Sequence, residues 1–245
     1  DSPEIAFFEI NTTQNAESYW QQGKKVYDKA KDEADYKKAF SLFTKAAELG
    51  NFDAMNIIGV MYCHGKGVQQ NYKEAFEWFS KAAEQGYAIA QCNLGSMYEK
   101  GDGVQKNLYE AVNWYHKSAD QGNAIAQCNL GVMYENGFGV QKNLYEAAKW
   151  YRKSADQGNA IAQCNLGVLY EKGSGVPKDW LEAEILYLKA AEQWMISTAH
   201  NANPELCIDW VLVNRKASNK VNQMLINGTV QKLIKVMPKR IRELT

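Results

Sequence analysis

Residues 122–157 read GNAIAQCNLGVMYENGFGVQKNLYEAAKWYRKSADQ, and residues 158–193 read GNAIAQCNLGVLYEKGSGVPKDWLEAEILYLKAAEQ. From Gly122 to Glu135 the two stretches differ only where Met133 faces Leu169. Sliding the whole chain by 36 residues extends the match well beyond this pair. Gly50, Gly86, Gly122 and Gly158 coincide, as do Gly23, Gly59, Gly95, Gly131 and Gly167, and Ala39, Ala75, Ala111, Ala147 and Ala183. A fixed period of this size marks a repeat architecture in which each unit buries its apolar face against its neighbours. Five units follow, at 14–49, 50–85, 86–121, 122–157 and 158–193, between an N-terminal extension (1–13) and a non-repeating tail (194–245).

Each unit predicts two helices. In the third, Ala111, Trp114, Tyr115, Ser118 and Ala119 fall at i, i+3, i+4, i+7 and i+8, one face of an α-helix. The preceding helix carries Ala90, Leu94, Met97 and Tyr98 on a similar stripe. Asp35, Asn71, Asn107, Asn143 and Asp179 are expected to cap the second helices, with Glu74, Glu110, Glu146 and Glu182 three residues on. Gly-x-Gly-Val sequences end the first helices, where glycine accepts the left-handed conformation. In the first unit Lys29 and Lys31 replace those glycines, so that turn must differ. The glycines inside the first helices cost about 1 kcal/mol each relative to Ala, which predicts a close approach of two helix backbones there.

Composition narrows the function. The 245 residues balance 28 Lys+Arg against 28 Asp+Glu, with 46% hydrophobic residues. Intrinsic disorder and a general basic surface for nucleic acid are both excluded by that balance. No run approaches the ~18 apolar residues of a membrane span. The chain opens Asp1-Ser2-Pro3 with no initiator Met, which reads as a processed or truncated end. Five cysteines suit a disulfide framework poorly and favour a reducing compartment.

The residues Ala90-Gln91-Cys92-Asn93-Leu94-Gly95, Met97-Tyr98, Gly101-x-Gly103-Val104, Ala111, Trp114-Tyr115 and Ala119-x-x-Gly122 resemble the Sel1-like repeat, a relative of the tetratricopeptide repeat with a longer Gly-rich turn. The resemblance covers about 180 of 245 residues. It implies an all-α fold: a right-handed α-solenoid of about five 36-residue helix-turn-helix Sel1-like repeats plus a helical C-terminal cap. It further implies a protein–protein adaptor of the kind common in bacteria, including secreted or host-directed proteins and regulators of signalling enzymes. Cys92, Cys128 and Cys164 depart from the family, which usually has an aromatic residue there.

By the same resemblance, the first helix of each unit lines a concave groove. The positions that face it are Ile89, Cys92, Asn93, Ser96 and Glu99; Ile125, Cys128, Asn129, Val132 and Glu135; and Ile161, Cys164, Asn165, Val168 and Glu171. The second unit offers Asn56, and the first Trp20 and Lys24. Asparagine both donates and accepts, so Asn93, Asn129 and Asn165 could hold the backbone of an extended peptide, or satisfy neighbouring helices. A carboxylate clamp would need several basic groove residues, and only Lys24 fits. Glu99, Glu135 and Glu171 favour a partner with some basic character.

No catalytic constellation emerges. The recurrent cysteines would lie roughly 10 Å apart on stacked hairpins, too far to share a zinc at ~2.3 Å per bond. Cys63-His64 has no second pair to complete a site, and His116 and His200 stand alone. Neither a nucleophile elbow nor a phosphate-binding loop is present. No metal or cofactor is expected. In the tail, Leu206, Ile208, Trp210, Val211, Leu212 and Val213 predict a capping helix. Beyond them Arg215, Lys216, Lys220, Lys232, Lys235, Lys239, Arg240 and Arg242 read either as a solvated cap or as a basic amphipathic segment for a protein or an anionic membrane. The sequence therefore predicts a non-enzymatic scaffold gripping a partner protein in its groove. The alternative is a regulatory protein that clamps an enzyme with groove and tail together.

Overall fold

A computed structural model describes residues 3–198, with side chains described for 12–193. The expected capping helix and the basic tail lie outside the described residues. Among the described residues ten helices follow one another: α1 (Pro3–Tyr27), α2 (Glu33–Glu48), α3 (Phe52–His64), α4 (Tyr72–Glu84), α5 (Ala88–Lys100), α6 (Leu108–Asp120), α7 (Ala124–Asn136), α8 (Leu144–Asp156), α9 (Ala160–Lys172) and α10 (Trp180–Thr198). Among the described residues there is no strand. The chain divides into two compact units between Gln157 and Gly158. In the first, α1–α8 pack as four successive helical hairpins; in the second, α9 packs on α10. This is an all-α solenoid. None of the described helices is long and apolar enough to cross a membrane.

Helix boundaries follow their caps. Asn71, Asn107 and Asn143 accept from the second and third backbone N–H groups of α4, α6 and α8, and Asp179 does the same for α10. The first unit differs from expectation. Its second helix is capped by Asp32, whose carboxylate accepts from the Asp35 N–H at 3.0 Å, while Asp35 accepts from the Lys31 N–H at 3.1 Å. Without the glycine turn the chain reverses sooner, α2 starts at Glu33, and its cap forms three residues early, with Asp35 holding the N–H just before the cap residue. A second set of caps went unread in the sequence: Asn51, Asn123 and Asn159 begin α3, α7 and α9.

Core forms between hairpins. Ala39, Phe43, Ala46 and Ala47 of α2 meet Ala54, Ile58 and Met61 of α3. Two further layers repeat this arrangement, α4 against α5 and α6 against α7. Inside each hairpin the mid-helix glycine faces a ring. A Cβ on Gly95 would lie 2.7 Å from the Tyr115 ring, and one on Gly131 2.3 Å from that of Tyr151. The close approach expected there is therefore mainly of an aromatic side chain against a backbone. Tyr115 and Tyr151 are fully buried on account of it.

Glutamines stitch neighbouring hairpins. Buried Gln91 donates to the Ala83 carbonyl at 3.1 Å and accepts from Gln121 at 2.8 Å. Gln127 repeats the pattern with Ala119 and Gln157. Each bond contributes about 1 kcal/mol net, but breaking one strands a buried amide at greater cost. The turns dock as well. The left-handed Gly103 (φ 71°) lies so close to the start of α4 that an added Cβ would sit 2.2 Å from the Tyr72 carbonyl oxygen. Gly122 is also left-handed (φ 90°) but faces open space. Gly122→Ala should therefore cost about 1–2 kcal/mol for conformation alone, while Gly103→Ala should lower the thermal midpoint distinctly further, because backbone must move; paired thermal melts of the two variants test this.

One seam has a titratable member. Phe40 and Phe76 meet Tyr62 and Tyr98 edge-on, but the third unit has Val112 at that position. His116, one turn later, supplies the edge instead, against both Tyr134 and Trp150, with its Nε2 3.2 Å from the Tyr134 hydroxyl. Burial holds the imidazole below its usual 6.5; Asp120 and Glu146 oppose this from α6 and α8, and Lys153 of α8 reinforces it. As pH falls, the unfolded chain takes up this proton first, so stability is full above about 6.5 and declines below it until the folded ring titrates too. His116→Phe should flatten the fall in thermal midpoint between roughly pH 7.5 and 5.5 relative to the parent chain.

Candidate protein-binding face

In the last three repeats the first helices present the same sequence of environments. Ile89 and Ile125 stand out from α5 and α7, 46% and 60% exposed. On α9, in the other unit, Ile161 is 61% exposed. Beside them Asn93, Ser96, Asn129 and Val132, and on α9 Asn165 and Val168, are half-buried. The helix arc left by the core is thus one large exposed apolar side chain followed by partly accessible small and amide groups.

The cysteines do not belong to this face. Cys92, Cys128 and Cys164 are 6%, 5% and 8% exposed. Burial pushes their thiols up, Cys92 to about 12, with Glu99 adding to it, and the other two to about 11. They are protonated small hydrophobes, poor as nucleophiles or ligands. Among the described residues no three His, Cys, Asp or Glu groups are gathered as a metal site.

Asn56 occupies the cysteine position of the second unit, and Asn93 donates to its side-chain oxygen at 2.9 Å. At least there, the asparagine row also ties adjacent first helices together. Trp20 is half-buried and stacks on Phe43 with ring centroids 5.3 Å apart, whereas Lys24 is exposed. Both therefore sit on α1, but only Lys24 offers its whole side chain.

The acidic row has a feature that spacing alone does not reveal. Tyr115 donates to Glu99 at 2.6 Å, Tyr151 to Glu135 at 2.7 Å, and Tyr187 to Glu171 at 2.9 Å. Each tyrosine is the ring packed on the mid-helix glycine of its own hairpin. Burial foremost, then the carboxylate, raises the phenols of Tyr115 and Tyr187 far above their usual 10, so they stay donors. The carboxylates are therefore held from below by neutral hydroxyl donors. The signal was present in the sequence as the constant 16-residue gap between Glu and Tyr. Tyr115→Phe should cost about 1.5–3 kcal/mol, the range for a hydrogen bond to a charged group. The exposed Tyr109→Phe should leave stability within about 0.5 kcal/mol, and urea denaturation of both variants would show the contrast.

Repeated helical hairpins of this kind define an α-helical repeat solenoid. A family model for the Sel1 repeat matches residues 25–51, 52–87, 88–123, 124–159 and 160–193, and the chain belongs to that family. It is similar to a Sel1 repeat protein from Oxalobacter formigenes, at 36% identity over 71% of this chain and 69% of that one, with a TM-score of 0.66. It is also similar to a protective antigen with an SLR fold from uropathogenic Escherichia coli strains. That match has 26% identity over 86% of this chain and 55% of the other, with a TM-score of 0.52. No curated protein matches the sequence. Sel1 repeat proteins generally mediate protein–protein interaction, and the scaffold is typically non-catalytic.

Proposed function

We propose that this chain is a scaffold that binds a partner protein, or an extended peptide of one, against its first helices. The recurrent exposed isoleucine supports this reading most directly: Ile89, Ile125 and Ile161 stay about half exposed, and each of the last three repeats presents one at the same place, where the first two have Glu17 and Asp53. Asn93, Asn129 and Asn165 supply donors and acceptors to a bound backbone, and the tyrosine-held Glu99, Glu135 and Glu171 set a preference for basic groups. Asn56, Ser96, Val132, Val168, Lys24 and the accessible edge of Trp20 extend the surface. Because adjacent units offer nearly the same patch, the fitting ligand is long or itself repetitive, and several weak contacts add through avidity.

Fully covering an isoleucine that starts about half exposed is worth roughly half of the 1.5–3 kcal/mol of a complete burial, about 1 kcal/mol each. Ile89→Asp, Ile125→Asp and Ile161→Asp together should therefore abolish capture of the partner by the immobilised full chain, with an unchanged thermal midpoint. Replacing Asn93, Asn129 and Asn165 with Ala should weaken capture, with a modest loss of stability traceable to the Asn56 bond. Quantitative mass spectrometry of the captured proteins reads both. Retention of every specific partner by the triple aspartate variant would refute this face.

A further inference from the structure

The first hairpin turns differently from the others, and the difference leaves a basic hollow. Units two to five pass from first to second helix through 65–71, 101–107, 137–143 and 173–179, each entered by a left-handed glycine. In the first unit α1 and α2 are joined by residues 28–32 alone. The valine that returns to the core from the later turns (Val68, Val104, Val140) has no equivalent, and an open hollow remains, lined by Lys25, Val26, Lys29, Asp35 and Lys38.

Charge there is reversed relative to the rest of the repeat. Lys38 occupies the position of Glu74, Glu110, Glu146 and Glu182. Between residues 24 and 38 stand six lysines, Lys24, Lys25, Lys29, Lys31, Lys37 and Lys38, against four acids, Asp28, Asp32, Glu33 and Asp35, of which Asp32 and Asp35 are tied to backbone N–H groups at the start of α2. The C-terminal end of α1 accounts for Lys24 and Lys25, which complement its dipole. Lys38, in the second turn of α2, gains nothing from a helix end. Among the described residues the ammonium groups of Lys25, Lys29 and Lys38 have no hydrogen-bond or ion-pair partner. Four other units fold without these lysines, so the fold does not require them.

We propose that this hollow receives an acidic segment of a partner protein, its carboxylates meeting Lys25, Lys29 and Lys38 while Val26 gives an apolar floor. The zero net charge of the chain fits a local contact better than a polyanion track, which would need a continuous basic surface. This site lies at the α1–α2 connection and does not depend on the isoleucine face.

The probe is a fluorescein-labelled peptide of alternating Glu and Ala, titrated into the full chain by fluorescence anisotropy. Saturable binding that weakens with added NaCl is expected. Lys25→Glu, Lys29→Glu and Lys38→Glu together should weaken it by about tenfold or more, as removal of three charge contacts implies. Lys73→Glu, Lys106→Glu and Lys142→Glu together should leave it unchanged. Thermal melts accompany each protein, and a Lys→Gln triple replaces the charge reversal if that variant melts early. Equal loss in both triples, absence of saturation, or stronger binding to phosphatidylglycerol vesicles than to the peptide would overturn the proposal.

Discussion

Within each hairpin, the space beside one glycine in the first helix is filled by an aromatic ring from the second. Gly23 and Gly59 receive Phe43 and Phe79; Gly95, Gly131 and Gly167 receive Tyr115, Tyr151 and Tyr187. A glycine in mid-helix is unfavourable by itself, so its recurrence needs this return: a large ring buried at close range, with dispersion contacts on both faces. The geometry sets how near the two helices lie and how deep the ring sits. It also decides where the phenolic oxygen emerges, and in the last three hairpins that place is beside a glutamate. One packing constraint thus runs from backbone geometry to the charge pattern of the outer face.

Between hairpins a different chemistry operates. Alanines at 0–3% exposure let α2, α4 and α6 lie close to the helices that follow. The glutamine ladder then fixes the register, because Gln91 and Gln127 must each satisfy a donor and an acceptor at once. Apolar burial tolerates sliding; a buried amide with two partners does not. Substitutions are absorbed locally in such a scheme. Where Val112 is too small to meet Tyr134 as Phe76 meets Tyr98, His116 reaches it from the next turn, and the layer stays filled at the cost of a titratable group in the seam.

The architecture was legible in the sequence because it rests on period. A 36-residue repeat, caps in the last four second helices and left-handed glycines after the first helices all depend on neighbours in sequence. What escaped depends on register or on distance. Asp35 aligns with Asn71 and so looked like a cap, but a missing glycine turn shifted the true cap to Asp32. Cys92 alternates with Asn93 along the helix, and a reading by analogy placed both in the groove, although only the asparagine reaches the outer arc. The Tyr–Glu bonds join residues 16 apart on different helices, beyond any helical periodicity. The Asn93–Asn56 bond crosses repeats between non-equivalent positions, so internal alignment hides it.

Near-identity of adjacent units separates what the fold needs from what a partner could use. Units 86–121 and 122–157 differ at Tyr87/Asn123, Ser96/Val132, Lys100/Asn136, Asp102/Phe138, Val112/Ala148, Asn113/Lys149 and His116/Arg152. Only Val112/Ala148 is buried in both units; every other pair has at least one half-buried or exposed member on a helix flank, a cap or the turn. The isoleucines, the asparagines and the tyrosine-held glutamates are kept in both, although Ile89 and Ile125 stay about half exposed. A ligand contacting α5 and α7 therefore meets the same anchor twice, while the first-helix ends and turns around it change from small and charged (Ser96, Lys100, Asp102) to apolar and neutral (Val132, Asn136, Phe138). On the binding face proposed above, repetition of the anchor would supply affinity by summation and variation around it would supply register, giving an extended ligand one preferred alignment along an otherwise periodic surface.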